Sequence, residues 1–258
     1  MDHELMTMWL SVDPMADKYP GVSPYAYCVW NPVRLVDPDG NEAIGNDDWY
    51  KNRITGSVKW FDSKAKTIVF NGEVYDNIGE DYSFRKGNNT YSYHQNQCTS
   101  VTEHVLSPTD FCTQMNADGT KRSGDDGNCY HQSGLMVKQS GTESLSGVNN
   151  NILDIPEGIA YINQQIEKGY SVRVHVDRQN RKTSFDGKGD HWVAISSRTI
   201  SFITGEIESY GFYDPGTYYQ DKGTNNNFIL SNSGLVGQSE YNDRQNTYHV
   251  VAVRRNCN

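Results

Sequence analysis

The sequence has 258 residues, which is enough for one or two domains with a sizeable core. Its formal net charge of -9 argues against binding to nucleic acid or to an anionic membrane, because both select a basic surface. No apolar run approaches the roughly 20 residues of a transmembrane helix, and the N-terminus has no signal-peptide pattern. We therefore expect no nucleic-acid partner, no membrane partner, and export without a cleaved signal peptide.

The motifs of residues 9–40 are the most specific feature of the N-terminal part. They are WLSVDP, then YPGVSPYAY, then NPVRLVDPDG. This order resembles the C-terminal end of the Rhs/YD-repeat core of polymorphic toxins. The resemblance implies that residues 1–41 are a remnant of that core and that a toxin domain follows. It also implies an effector that is cytoplasmic in the producer, acts in a target cell, and is neutralised by a cognate immunity protein.

Residues 42–92 contain short segments that alternate between apolar and polar side chains, separated by Gly and Asn turns. Asn71-Gly72 between two such segments is a strong hairpin signal. We predict a β-rich linker region over 42–92, built as an antiparallel meander, and a single domain over 93–258.

The five cysteines are at positions 28, 98, 112, 129 and 257 and form no CxxC motif. This argues against a zinc ribbon and against a complete disulfide framework. Cys98 with Cys112, or Cys112 with Cys257, remain alternative disulfide pairs. His94 and His104 lack metal-ligand spacing to a second His or Cys, so we interpret both as structural and expect no metal and no cofactor.

Cys129 begins the segment around which the predicted domain is organised. Asp125, Asp126, Gly127 and Asn128 lead into CYHQSGLMVK, which reads as a helix over 129–138 with Asn128 as its N-cap. A thiol in the first helical turn lies at the positive end of the helix dipole, which favours its thiolate. We therefore predict that Cys129 is a nucleophile that needs a base.

The remaining predicted elements are one helix and four strands. Pro156 opens a second helix that Gly169 closes, with an apolar stripe of Ile159, Ile162 and Ile166. The next strand, SVRVHVD, is expected to face Arg173 and His175 toward solvent. His191 begins the strand HWVAIS and Asp214 ends the strand IESYGFYD, each on the same face as its apolar neighbours. We interpret the Asn-, Gly- and Ser-rich segment before the final strand TYHVVAVRR as a long loop.

This order of a helix-borne cysteine, an HWV strand and a YDPGT strand resembles the papain-like fold, in particular its bacteriocin-processing branch, over residues 125–258. The resemblance implies an α+β module with a central helix packed on an antiparallel sheet, acting as a cysteine peptidase on a protein or peptide. Cys129 matches the nucleophile, His191 the base, and Asp214 the residue that orients the imidazole. Each residue taken singly has a structural interpretation; their joint order favours the catalytic one.

The side chain that would bind the oxyanion is left open by the sequence. Ser123 stands where the related peptidases have a glutamine. Gln95, Gln97, Gln114 or the Asn128 amide remain alternatives, beside the backbone N–H of Cys129.

Three other functions fit the same residues. These are a peptidoglycan amidase, a transglutaminase or deamidase acting on glutamine side chains, and a catalytically inactive binding remnant.

Overall fold

The computed structural model describes residues 35–36, 44–45, 47–180, 184–232, 234–241 and 244–257. Within these residues, 46% lie in strands and 19% in helices. The chain forms two compact units. The first takes the described residues up to Ser83 together with Ser92–Cys98, and the second takes Phe84–Tyr91 and the chain from Thr99 onward. The motifs of residues 9–34 and 37–43 lie outside the described residues, so the Rhs resemblance stays a prediction.

The first unit contains a four-stranded antiparallel sheet. Its strands are β3 (Asp48–Asn52), β4 (Val58–Phe61), β5 (Thr67–Phe70) and β6 (Glu73–Gly79), in the spatial order β4-β3-β6-β5. A separate two-residue ladder pairs β1 (Leu35–Val36) with β2 (Ile44–Gly45). The predicted hairpin is confirmed, because Asn71 and Gly72 join β5 to β6 with positive φ angles of 51° and 79°.

The core of the first unit is aromatic. Tyr50 and Tyr75 are buried, and the ring of Phe61 contacts both at centroid distances of 5.7 and 5.4 Å. Three further strands, β7 (Asp81–Lys86), β8 (Asn89–His94) and β9 (Gln97–His104), carry the chain from this sheet into the second unit.

The second unit is a closed antiparallel β-barrel of six strands. The strands are β11 (Arg173–Gln179), β12 (His191–Ser201), β13 (Ile207–Tyr213), β14 (Asn226–Ser231), β15 (Gly234–Tyr241) and β16 (Arg244–Arg254). Each pairs with the next in sequence, and β11 closes the ring by pairing with both β12 and β16. β9 extends the sheet beside β12, and the short β10 (Asn151–Ile152) pairs with β16.

The barrel interior is apolar because alternate side chains of every strand point into it. It contains Val174 and Val176 from β11, Val193 and Ile195 from β12, and Phe212 from β13, all completely buried. Phe212 stacks on Phe228 of β14 at a centroid distance of 4.0 Å. The outer surface of the barrel is then available for the helices.

Helix α1 (Cys129–Gln139) lies outside the barrel. Its Met136 and Val137 pack with Ala194 and Tyr213, which point out of β12 and β13, in a core cluster separate from the barrel interior. Helix α2 (Ile155–Glu167) begins at its N-cap Asp154 and places Ile162 and Ile166 against the barrel core. A short helix, α3 (Gln220–Thr224), follows β13. The bounds of α1 and α2 agree with the sequence prediction to within two residues.

The predicted fold class, a papain-like α+β module with a central helix on an antiparallel sheet, is wrong. The second unit is mostly β, and only three α-helices occur among the described residues. The error arises in the segment interpreted as a loop, which forms the hairpin β14–β15 instead. This hairpin joins β13 to β16 and closes the sheet on itself, so the apolar face is covered by the barrel and needs no central helix.

No helix among the described residues is long and apolar enough to cross a membrane. Neither of the two alternative disulfides, Cys98 with Cys112 or Cys112 with Cys257, is formed.

Candidate active site

Cys129 occupies the first position of helix α1, as expected. The side chain of its predecessor, Asn128, caps the helix by accepting a hydrogen bond of 2.9 Å from the backbone N–H of Tyr130. The N–H of Cys129 donates to no described residue. A half-buried thiol therefore lies beside a backbone donor at the positive end of an 11-residue helix.

His191 and Asp214 form a buried pair at one end of the barrel. The Nε2 atom of His191 lies 2.6 Å from Oδ1 of Asp214, and both side chains are at most 1% exposed. The imidazole also forms a hydrogen bond with Cys129. Because Nε2 is engaged by the carboxylate, Nδ1 is the ring nitrogen that remains for the sulfur. The structure thus brings together all three residues that the sequence singled out.

Asp214 is held by three further donors. Its Oδ2 accepts a hydrogen bond of 2.6 Å from the hydroxyl of Ser239 and another of 2.6 Å from the hydroxyl of Tyr248. Its Oδ1 also accepts from the backbone N–H of Gly216 at 2.7 Å. A carboxylate without contact to water is thereby saturated with hydrogen bonds, which keeps it ionised and fixes its orientation.

The pKa values of the pair follow from burial and from these contacts. Burial by itself lowers the pKa of His191, but the charge and hydrogen bond of Asp214, with those of Cys129, outweigh it and raise the pKa to about 10. Burial raises the pKa of Asp214, whereas the charge of His191 and the hydroxyls of Ser239 and Tyr248 lower it further than burial raises it. At neutral pH the site therefore contains an imidazolium next to a carboxylate.

The pKa of Cys129 is lowered from its ordinary value. Burial opposes this shift, but the hydrogen bond and the charge of His191 outweigh it. The backbone N–H of Trp192 also donates to the sulfur, and the charge of Lys121 adds to the effect. A thiolate stabilised in this way is the nucleophilic form of cysteine.

An aromatic and cationic stack lies beside the thiol. The Trp192 ring stacks on His175 at a centroid distance of 4.2 Å and meets the edge of Tyr130 at 5.3 Å. The guanidinium of Arg173 lies 3.8 Å from the Tyr130 ring and donates to the backbone oxygen of Tyr130. The expectation that Arg173 faces solvent is wrong, because helix α1 covers that side of β11 and leaves Arg173 only 5% exposed.

The oxyanion candidates differ in their surroundings. Gln114 is completely buried. Its backbone N–H donates a hydrogen bond to the backbone oxygen of Pro215, and its backbone oxygen accepts one from the N–H of Arg122. It therefore lies between the turn after Asp214 and the segment that leads to Cys129. Gln95, in the first unit, donates to Glu80 at 3.2 Å. The side-chain oxygen of Asn128 is engaged in capping, while its amide NH₂ group donates to no described residue.

Sequence reasoning missed Ser239 and Tyr248. Ser239 falls in the segment interpreted as a loop, so its inward direction had no strand to define it. Tyr248 shares its face with the buried Val250 on β16, and strand alternation alone places it in the interior. A buried tyrosine needs an acceptor for its hydroxyl, which was the available signal.

Among the described residues, no group of three or more His, Cys, Asp or Glu side chains is positioned to hold a metal ion. His94 pairs with Asp81 at 2.9 Å, and His104 with the hydroxyl of Thr90 at 2.9 Å.

No family model, no curated protein and no solved structure matches this chain.

Proposed function

We propose that the second unit is a thiol-dependent hydrolase of amide bonds, with Cys129 as nucleophile, His191 as general acid and base, and Asp214 as the residue that orients the imidazole. The observation that carries this proposal is the buried hydrogen bond of 2.6 Å between His191 and Asp214. The same imidazole also forms a hydrogen bond with the side chain of Cys129. Cys129 is then the nucleophile, His191 transfers the proton, and Asp214 fixes the tautomer of the imidazole.

In the first half of the reaction, the thiolate of Cys129 attacks the carbonyl carbon of the amide and forms a C–S bond. The negative charge moves to the carbonyl oxygen, where the N–H of Cys129 is a donor at the positive end of helix α1. The C–N bond then breaks as the imidazolium of His191 gives its proton to the leaving amine. The product of this half is a thioester on Cys129.

In the second half, neutral His191 removes a proton from water, which attacks the thioester carbon. The C–S bond breaks, the acid product leaves, and the thiolate and the imidazolium are restored. Asp214 stays ionised throughout, because its pKa is lowered and its oxygens accept from Ser239, Tyr248 and Gly216. Its part is to hold the imidazole and stabilise its cation.

As substrate class we propose a protein or peptide, and as biological setting an Rhs-associated effector that acts in a target cell and is held inactive by an immunity protein in the producer. The half-buried aromatic surface of Tyr130 and Trp192 beside the thiol suits the side chains of a peptide.

The test is controlled expression of the chain in a bacterial cytoplasm, followed by growth and by mass spectrometry of the cell proteins. We expect growth arrest and new peptide termini with the wild type, and neither with Cys129→Ala or His191→Ala. Cys257→Ala is the matched control, because this thiol is exposed and should leave both readouts unchanged.

The alternatives give different outcomes in the same experiment. Lysis that occurs only when the chain is directed to the periplasm would indicate a peptidoglycan amidase. Deamidated or cross-linked glutamines without new termini would indicate a deamidase or transglutaminase. Undiminished toxicity of Cys129→Ala would rule out every thiol mechanism and leave a binding function.

A further inference from the structure

A polar cavity of about 390 Å³ opens on the outer face of the barrel, where β12 and β13 meet β9 and the end of α3. None of Cys129, His191 and Asp214 lines it. Its walls are hydroxyls and amides, including Ser196, Ser197, Thr199 and Ser209 on the strands and Asn225 and Asn227 after α3. The cavity is thus a separate feature from the candidate active site, with room for a small molecule.

A β-bulge aims two buried hydroxyls into this cavity. The register of β12 on β13 shifts between Ile195 and Ser197, and such a shift places consecutive side chains on the same face. Ser196 and Ser197 are 3% and 6% exposed, and both line the cavity. Two neighbouring hydroxyls on the wall of the cavity can donate to and accept from a molecule inside it.

Gly211 on the neighbouring strand leaves room for both hydroxyls. A Cβ at this position would lie 2.2 Å from the Ser197 oxygen and 2.9 Å from the Ser196 oxygen. Any side chain here would therefore occupy the space over the two serines. Glycine weakens a strand interior, and its presence on β13 is explained by the close approach of these two serine side chains.

The charge of the cavity is positive. Arg85 is the charged residue of its described lining, which contains no carboxylate. The Arg85 Nε donates to the backbone oxygen of Gly87 at 3.1 Å, and no carboxylate of the described residues forms an ion pair with the guanidinium. Burial and then the charge of Arg85 lower the pKa of His104 in the same wall, so the histidine is neutral at pH 7. The charge of Asp110 also acts on Tyr213 in the wall, but Asp110 does not itself line the cavity. An arginine without an ion pair in the wall favours an anion.

We propose that this cavity binds a small polyhydroxylated anion, such as a phosphorylated or carboxylated sugar, with Arg85 on the anionic group and Ser196 and Ser197 on the hydroxyls. Guanidinium N–H groups match phosphate and carboxylate oxygens, and serine hydroxyls both donate to and accept from sugar hydroxyls. This site is independent of the proposed hydrolase reaction.

The test is isothermal titration calorimetry of the full chain with glucose-6-phosphate, glucuronate and uncharged glucose. We expect both anions to bind and glucose to bind at least about 10-fold more weakly, because it lacks the charge-assisted hydrogen bonds to Arg85. Tighter binding of the phosphate than of glucuronate would identify the phosphate as the preferred anionic group, and the reverse would identify the carboxylate.

Four variants separate the contributions to binding. Arg85→Gln should weaken the binding of both anions by about 10-fold or more and leave the binding of glucose unchanged. Ser197→Ala should weaken the binding of all three compounds by about 2- to 10-fold. Arg255→Gln is the matched control, because this arginine pairs with Glu157 on α2 and does not line the cavity. Cys129→Ala should bind like the wild type, whatever becomes of the proposed hydrolase activity.

The proposal is overturned if neither anion binds the wild type at millimolar concentration, or if Arg85→Gln and Arg255→Gln reduce binding equally. It is also overturned if glucose binds as tightly as the anions. Circular dichroism of each variant establishes that a loss of binding is not a loss of fold.

Discussion

The hydroxyl of Tyr248 donates to Oδ2 of Asp214 over 2.6 Å, from the last strand of the barrel to the end of β13. The Tyr248 ring also meets the His191 ring at a centroid distance of 5.7 Å. Tyr248 therefore touches both members of the buried pair. The contact links β16, which pairs with β11 and β15, to the residue that follows β13.

Replacement of Tyr248 by phenylalanine should destabilise the protein. The change removes a donor from a buried carboxylate, and we expect a loss of about 1–3 kcal/mol in the free energy of unfolding, measured by urea denaturation. Tyr210→Phe is the matched control, because the buried Tyr210 donates to the neutral amide oxygen of Asn163 at 2.9 Å. Its loss should be the smaller one, and equal losses would contradict a special role for the Asp214 contact.

The reactivity of Cys129 should exceed that of Cys112 at neutral pH. The pKa of Cys129 is lowered by His191, whereas burial and the charge of Asp110 raise the pKa of Cys112. Alkylation by iodoacetamide requires the thiolate, so Cys129 should react at least about 10-fold faster at pH 7. The measurement is peptide-resolved mass spectrometry after timed quenching.

The same labelling in His191→Gln tests the cause of this difference. Without the imidazolium, burial becomes the main effect on Cys129 and should raise the pKa of the thiol. The alkylation rate of Cys129 should then fall to that of Cys112 or below. A fast Cys129 in His191→Gln would show that the imidazole does not activate the thiol.

The sequence was sufficient to identify the local elements that carry the candidate site. Asn128 caps α1 as its residue type suggests, and the alternation in HWVAIS places His191 on the interior face with Val193 and Ile195. The positions of Cys129 and His191 in their own elements depend on nearby residues, and local patterns therefore predict them.

The closure of the barrel could not be predicted in the same way. Alternation shows which residues share a face, but it does not show whether the first and last strands of a sheet meet. The pairing of β11 with β16 joins Val174 to Val253, far apart in the chain. The closing hairpin carries few large apolar residues, with Phe228 and Leu235 buried among Asn, Gly and Ser. Its polar composition therefore resembled a loop.

Stability should fall with rising pH in a variant that lacks the thiol. In Cys129→Ser no thiol titrates in the site, so the opposite effect of Cys129 on the pH dependence of stability is absent. Asp214 still raises the pKa of His191 above the ordinary 6.5. A raised pKa in the folded state contributes stability that is complete below pH 6.5 and is lost as the pH rises toward the folded value, which is about 10 in the wild type. We expect a loss on the order of 1–3 kcal/mol between pH 6.5 and 10.

The measurement is the free energy of unfolding in urea at a series of pH values. The double variant Cys129→Ser, His191→Gln is the control, and its stability should change less over the same range. Parallel curves for the two proteins would mean that His191 titrates alike in the folded and unfolded states.

Gly237 should stabilise the hairpin of β14 and β15 in the barrel. A Cβ on Gly237 of β15 would lie 2.5 Å from the backbone oxygen of Asn227 and 2.8 Å from the Phe228 ring, both on the paired strand β14. Backbone atoms cannot move aside as a flexible side chain can, so Gly237→Ala should reduce the free energy of unfolding by about 1–3 kcal/mol. It should also slow alkylation of Cys129, because Ser239 on the same strand holds Asp214.

Ile229→Thr, a 57% exposed position on β14, is the control and should change stability by no more than about 0.5 kcal/mol. If Gly237→Ala proved as stable and as reactive as Ile229→Thr, the close contact of Gly237 with β14 would contribute neither to the hairpin nor to the site.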